Sequence, residues 1–259
     1  MKNKVRQALL SRSLTVGTWI QIGHPAVAEI LANVGFDWIA ADGEHTDIDV
    51  TQFAGLARAM HGRNVVPLVR VRENDTLAIR QVLDLGAQGV IVPLVNTAEE
   101  ARRAVQAAKY PPVGVRGYCF SRMNDWGVNF AGYAAAANDD IAVVVMIESR
   151  QGADNIEAIL AVEGVDGVFI GPYDMSGSYG VPGQTEAPQV KEACRRVVDA
   201  CQRAGKSAGL HVVIPDEASI RRAVDDGFTF LALGVDVVFL DRSARSALGC
   251  IRASARQPA

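Results

Sequence analysis

Lysine is scarce in this chain. Only five, Lys2, Lys4, Lys109, Lys191 and Lys206, occur among 259 residues. None stands at the C-terminal end of a β-like run, and Lys109 and Lys206 are expected at the opposite end of such runs. A Schiff-base mechanism requires a desolvated lysine in a pocket, so the sequence argues against that route. Cysteine is sparse as well. Cys119, Cys194, Cys201 and Cys250 form no C-x-x-C pair, and Cys194 and Cys201 fall too far apart along one predicted helix to be bridged. Four free thiols packed in the interior of a reduced, cytoplasmic protein are expected. No apolar run reaches the roughly 18 residues of a membrane span, and "MKNKVRQALLSRS" lacks the apolar core of a signal peptide. A net charge of −3, from 26 basic and 29 acidic residues, gives no basic surface for nucleic acid. No G-x-G-x-x-G follows the first β-like run, so neither a dinucleotide fold nor a nucleotide cofactor is expected.

What is present is regular. Apolar residues make up 49% of the chain and charged residues 21%, an ordinary globular balance. Eight short apolar runs recur, at 17–21, 36–42, 65–71, 89–95, 141–149, 165–171, 207–212 and 228–234. Most are continuously apolar, as parallel strands buried on both faces must be. Amphipathic helical patterns separate them. "PAVAEILANVG" opens on Pro and closes on Gly, and "TAEEARRAVQAAKY" opens with Thr97 three residues before Glu100, a capping box. An N-terminal helix is expected over 2–12. Eight strands alternating with helices predict a single (β/α)8 TIM barrel spanning 1–259, with a doubly wound sheet as the competing arrangement. One connection, 111–130, is long enough to suggest a role in function or assembly.

Ionisable residues collect at the C-terminal ends of the runs, where barrel enzymes hold their active sites. The first run delivers Gln21, with His24 beyond it; the second Asp42, Glu44 and His45; the third Arg70 and Arg72. The fifth ends in Glu148, the sixth in "GPYD" with Asp174, and the seventh carries His211. Glu148 and Asp174 lie on successive strands. Two bare carboxylates at close range repel, and a divalent cation between them removes that cost. Oxygen ligands with open positions suit Mg²⁺ or Mn²⁺; the competing reading pairs each carboxylate with an arginine such as Arg70 or Arg150. In "FIGPYD" the turn offers the N–H groups of Gly171, Tyr173 and Asp174, but not Pro172, to an anion. His45 is the candidate general base. Asp42 or Asp84 is positioned to orient it, Asp84 standing out because it interrupts an apolar helix end. His61 reads as solvated; His24 and His211 either line the mouth or pack.

These residues, with "GFDWIAADGEHTDID", "PLVRVRENDTLAIRQVLDLGAQGVIVPLVNTAEEARRAVQAAKYPPVGVRG", "VVVMIESRQG", "VEGVDGVFIGPYDMSGSYG" and "LALGVD", resemble the HpcH/HpaI class II pyruvate aldolases over nearly the whole chain. The resemblance implies His45 as base, with Asp84 raising its basicity and Asp42 among the catalytic residues. It implies Arg70 as the stabiliser of a developing enolate and Glu148 and Asp174 as ligands of Mg²⁺, Mn²⁺ or Co²⁺. The backbone at Tyr173, within Gly171–Asp174, would hold a pyruvate carboxylate. It also implies reversible cleavage of a 4-hydroxy-2-oxo acid to pyruvate and an aldehyde, and a homo-oligomer, a hexamer or trimer of dimers, that exchanges its last helix. Two departures bear on the acceptor. Met146 stands where type members carry a substrate-touching Gln, and "GYCFSRMNDWGVNF", with Arg122, replaces their usual loop. A citrate synthase-like enzyme acting on oxaloacetate, also found in this family, is the alternative.

Overall fold

The computed structural model describes residues 2–254; residue 1 and residues 255–259, the ends of the expected domain, lie outside the described residues. The strands are β1 (Thr15–Ile20), β2 (Trp38–Asp42), β3 (Val66–Arg70), β4 (Gly89–Val92), β5 (Ala142–Ile147), β6 (Gly167–Ile170), β7 (Ser207–Val212) and β8 (Phe230–Val235). They pair in parallel, in chain order, and close into one barrel. All eight apolar runs are strands, with ends within three residues of those expected. The open-sheet alternative is excluded by closure of β8 on β1.

The helices before the long connection are α1 (Lys4–Ser11), α2 (Pro25–Val34), α3 (Val50–Met60), α4 (Thr76–Leu85) and α5 (Ala98–Ala108). After it, a 3-10 segment (Arg122–Gly127) leads to α6 (Phe130–Asp140), α7 (Arg150–Asp154), α8 (Ile156–Leu160) and α9 (Pro172–Ser178). The last are α10 (Pro188–Arg203), α11 (Glu217–Asp225) and α12 (Asp236–Ser254). The capping box of α5 forms as its sequence suggests: the Glu100 N–H donates to Thr97 Oγ1 at 3.2 Å and the Thr97 N–H to Glu100 Oε2 at 3.0 Å.

Two apolar layers follow from the alternation of side chains along each strand. Outward residues such as Ile39, Val69, Val143 and Val168 pack under the helices. Inward residues, Trp19, Trp38, Leu68, Ile91, Val144, Met146, Phe169 and Phe230 among them, fill the barrel. Large rings need small neighbours: a Cβ on Gly17 would lie 2.1 Å from Trp38 Cδ2, so only glycine lets the Trp38 ring stack on Phe230 at 4.4 Å. Val5 and Leu9 of α1 join this inner layer from below, and Ser207 Oγ donates to the Leu9 carbonyl at 2.9 Å. The bottom of the barrel is thereby covered by α1. Lys109 and Lys206 lie at the bottom as expected. Lys109 Nζ donates to the carbonyls of Asn138 and Ile141 at 2.8 and 2.6 Å, and burial lowers its pKa to about 8.

The cysteines depart from expectation: Cys201 is buried and Cys194 half-buried, but Cys119 and Cys250 are exposed. Both exposed thiols belong to segments that stand off the barrel, the long connection and α12. Helix α12 is exposed from Leu240 to Arg252, with Leu240, Leu248 and Ile251 facing outward. The connection is internally ordered around buried Asn124, whose Oδ1 accepts from the Ser121 and Gly127 N–H groups at 3.0 and 2.9 Å. Phe120, Trp126 and Val128 nevertheless remain exposed. Among the described residues no helix is long and apolar enough to cross a membrane.

Candidate active site

Inward positions recur every second residue, so the layer above Ala40, Leu68, Met146, Phe169 and Gly209 consists of Asp42, Arg70, Glu148, Gly171 and His211. The apolar interior thus changes to polar within one layer, at the open end. Strand register sets the first pair, because Asp42 lies directly opposite Arg70. Arg70 Nε and Nη2 donate to Asp42 Oδ1 and Oδ2 at 2.9 and 2.7 Å, a bidentate ion pair with Asp42 only 1% exposed. Gln21 Nε2 donates to Asp42 at 3.1 Å, and the Glu44 and His45 N–H groups donate to it at 3.2 Å each. Burial pushes the Asp42 carboxyl up, but the Arg70 hydrogen bonds and charge outweigh it and hold the group below the usual carboxylate range. Asp42 therefore stays ionised. It fixes both the Arg70 guanidinium, which also lies 4.9 Å over the Trp19 ring, and the backbone turn bearing His45.

The His45 imidazole is largely exposed, and Glu44 Oε2 lies 3.5 Å from its Nε2 and 3.3 Å from Arg70 Nε. Asp42 touches His45 through its backbone only. Asp84 does not reach His45 within this chain: it accepts from Arg116 Nη2 at 2.6 Å and from Cys119 Sγ at 3.4 Å. Arg116 is itself fully buried, 4.7 Å over the Tyr110 ring.

Glu148 extends from the end of β5. Its Oε1 accepts from the Leu94 N–H at 2.7 Å, and Leu94 adopts a left-handed φ of 54° to aim that donor. A Cβ on Gly171 would lie 2.8 Å from Glu148 Cβ and 3.0 Å from its Oε2, so glycine there is the space in which the carboxylate sits. Burial raises the Glu148 pKa, and the charges of Glu44 and Asp174 raise it further. Glu44 is also raised, by burial first and then by Asp42 and Asp174 against the pull of Arg70 and His45. Its Oε2 is buried without a hydrogen bond. Glu44 and Glu148 thus share one neighbourhood with Asp174, whose charge acts on both. Among the described residues no three His, Cys, Asp or Glu side chains form a complete metal cage. Two carboxylates facing an open mouth, with a third carboxylate nearby whose oxygen is unsatisfied, nonetheless fit a hard divalent cation that keeps positions free for other oxygen ligands.

The turn after β6 needs one correction. The Gly171 N–H is already used, donating to the Ile147 carbonyl at 3.1 Å. Pro172 has no N–H, and α9 lacks a side-chain cap, so Tyr173 and Asp174 retain the free donors. Met146 lies in the apolar layer beneath Glu148, 4% exposed. Arg122 is set apart from these groups: its Nη2 donates to the Ala57 carbonyl at 3.4 Å and its guanidinium lies over Gly86 at the end of α4. A cavity of about 250 Å³ between β3, α3 and α4 lies outside the barrel wall, lined by outward Val69 and Val71. It therefore does not open on the carboxylates. Sequence reasoning gave no role to Glu44 or Leu94; "DGEH" carried a signal for the first, whereas nothing in "PLVN" marks the second.

Comparison with known proteins agrees with this geometry. The sequence model of the HpcH/HpaI aldolase/citrate lyase family matches residues 15–242. The 5-keto-4-deoxy-D-glucarate aldolase of Shigella sonnei is 38% identical over 235 residues, 91% of each chain. The crystal structure of a family protein from Burkholderia cenocepacia superposes with a TM-score of 0.93 at 32% identity, covering 97% of this chain and all of that one. Citrate synthase SbnG superposes at 0.86 with 28% identity, covering 98% of this chain and 99% of that one. An eight-stranded barrel with ionisable groups in its mouth, a family match over most of the chain and relatives named as aldolases agree: the chain belongs to the HpcH/HpaI aldolase/citrate lyase family and is a carbon–carbon lyase.

Proposed function

We propose that the chain catalyses reversible, divalent-metal-dependent cleavage of a 4-hydroxy-2-oxo acid to pyruvate and an aldehyde. One observation carries the reading: Glu44, Glu148 and Asp174 converge beside Arg70 and His45 at the C-terminal end of the strands. Glu148 and Asp174 would hold the cation, which when bound supplies positive charge near the 2-oxo acid oxygens. His45, largely exposed, takes the proton of the 4-hydroxyl. As C4–O becomes the aldehyde carbonyl, the C3–C4 bond breaks and its electron pair passes to the C2 oxygen. Arg70, fixed by Asp42, stabilises that developing charge, and the Tyr173 and Asp174 N–H groups are available to the substrate carboxylate. Protonation at C3 completes pyruvate. Among the described residues no lysine stands at the C-terminal end of a strand, which supports this route over a Schiff base.

The exposed apolar positions of α12 and of the connection support a homo-oligomer in which α12 packs on a neighbouring copy. The test of function is pyruvate release from a panel of 4-hydroxy-2-oxo acids with and without EDTA. Release that EDTA abolishes and Mg²⁺ or Mn²⁺ restores is expected; EDTA-insensitive release would overturn the metal dependence, and no release from any member the cleavage itself. A second reading, condensation on oxaloacetate, is supported by the likeness to citrate synthase SbnG. CoA-dependent product from oxaloacetate in the same screen would favour it.

A further inference from the structure

His211 is the one ionisable side chain of the inward layer that the cleavage above leaves without work. It stands on β7, beside β6, where Leu210 pairs with Ile170, so it is one strand removed from Gly171 and Asp174. Its Nε2 lies 3.0 Å from the carbonyl oxygen of Gly234 on β8. A carbonyl only accepts, so Nε2 carries the proton. The imidazole borders Trp19, ring centroids 6.1 Å apart, and Arg70 lies over that same Trp19 ring. Burial lowers the His211 pKa to about 4, so the ring is neutral at pH 7. Nδ1 then bears a lone pair. It has no hydrogen-bond partner among the described residues, and the side chain is only partly buried, at the C-terminal end of β7. A histidine that merely packs would have this nitrogen enclosed in apolar surroundings or bonded to the protein.

A neutral imidazole nitrogen facing a site takes a donor. It repels a carboxylate or a carbonyl oxygen and accepts from a hydroxyl. With the oxo-acid half of the substrate assigned to Glu148, Asp174 and Arg70, the half that reaches β7 is the one derived from the aldehyde. We propose that His211 is a specificity residue, whose Nδ1 accepts a hydrogen bond from a hydroxyl on that aldehyde-derived half. The inference rests on the aldolase reading and sharpens it: the substrate class is polyhydroxylated 2-oxo acids.

The test uses the full-length protein with Mn²⁺ and two pyruvate adducts of equal carbon number, those of glyceraldehyde and of propionaldehyde. The measured quantity is the ratio of their kcat/KM values. In wild type the hydroxylated adduct is favoured. His211→Leu lowers that ratio about tenfold, the scale of one neutral hydrogen bond. His211→Gln, whose amide can donate to Gly234 and also accept, recovers part of it. Should the Leu variant not fold, His211→Phe, which fills the ring volume without an acceptor, serves the same comparison. A ratio within about twofold of wild type in the apolar variant overturns the assignment of His211 while leaving the aldolase reading intact. A wild-type protein that cleaves neither adduct nor any other 4-hydroxy-2-oxo acid overturns the aldolase reading, and this inference with it.

Discussion

The Asp42–Arg70 pair allows a worked prediction about stability, separate from catalysis. Replacing Arg70 by Met leaves Asp42, 1% exposed, without its bidentate partner. Breaking a buried pair from one side costs about 3–5 kcal/mol. Three neutral donors remain, Gln21 Nε2 at 3.1 Å and two backbone N–H groups at 3.2 Å, which place the cost near the lower limit, about 3 kcal/mol. At roughly 2–4 °C per kcal/mol for a domain of this size, the unfolding temperature at pH 7 should fall by about 6–12 °C. The pH dependence follows from the sign of each shift. In wild type the Asp42 pKa is lowered, so its contribution is present above the ordinary carboxylate pKa and is lost as pH falls through the folded value. In the variant, burial is no longer outweighed. The pKa rises, and Asp42 then costs stability as pH rises through it. The gap between variant and wild type should therefore narrow as pH is lowered from 7 toward 5. Adding Asp42→Asn to the variant should recover most of the loss, since no buried charge remains. Thermal unfolding followed by circular dichroism at both pH values measures this. A gap below about 2 °C at pH 7, or a double variant as unstable as the single one, would refute the reasoning.

The remaining predictions concern metal, loop and assembly. Burial and two neighbouring carboxylates raise the Glu148 pKa, so its ionised form costs stability at neutral pH. Glu148→Gln should lose pyruvate release yet, in EDTA, unfold at a higher temperature than wild type, and added Mn²⁺ should raise the wild-type midpoint only; an equal Mn²⁺ response would remove Glu148 from the metal site. Because Arg122 bonds Ala57 and covers Gly86, Arg122→Ala should leave the preference between acidic and neutral aldehydes within about twofold, whereas loss of a charged hydrogen bond to substrate would shift it about tenfold or more. Sedimentation at micromolar concentration should show an oligomer, and truncation before Leu240 should shift it toward monomer; an active wild-type monomer would rule out exchange of α12.

The barrel was legible in the sequence because its strands are buried on both faces. Runs such as "VVPLVRV" and "IAVVVMIES" carry that burial as uninterrupted apolarity. Ions at the ends of those runs mark the mouth for the same reason, since an ion is tolerated only where the barrel opens. Pairings were less legible. Asp42 and Arg70 meet because register sets them opposite one another, 28 residues apart, and register does not appear in a one-strand pattern. Asp84 was visible as an odd polar residue at a helix end, but its partner Arg116 arrives 32 residues later through a connection without periodicity. Arg122 was singled out because its loop departs from the type members, a signal that carries no direction for its guanidinium, which within this chain lies against Ala57 and Gly86. The left-handed φ of Leu94 leaves no trace, because position 94 itself is neither the glycine nor the asparagine that would announce it.

The distribution of charge around the mouth follows from these constraints. Arg70 is the cation held between the acidic groups, and Asp42 consumes its Nε and Nη2 while Glu44 lies beside Nε. Three N–H groups, both on Nη1 and one on Nη2, remain uncommitted to Asp42, so the remaining donors of Arg70 point in a fixed direction. On the β5 and β6 side, Glu148 and Asp174 are anionic without a basic partner at bonding distance among the described residues. Their mutual repulsion is relieved when positive charge enters the mouth, which makes binding favourable where the resting site is strained. On the β7 and β8 side, His211 is neutral and the Gly234 carbonyl is already bonded. On the proposed reading, the acidic end of a 2-oxo acid would face Arg70 with Glu148 and Asp174, and a hydroxylated tail would face His211. Charge at one end of the mouth and a neutral acceptor at the other are what would orient it.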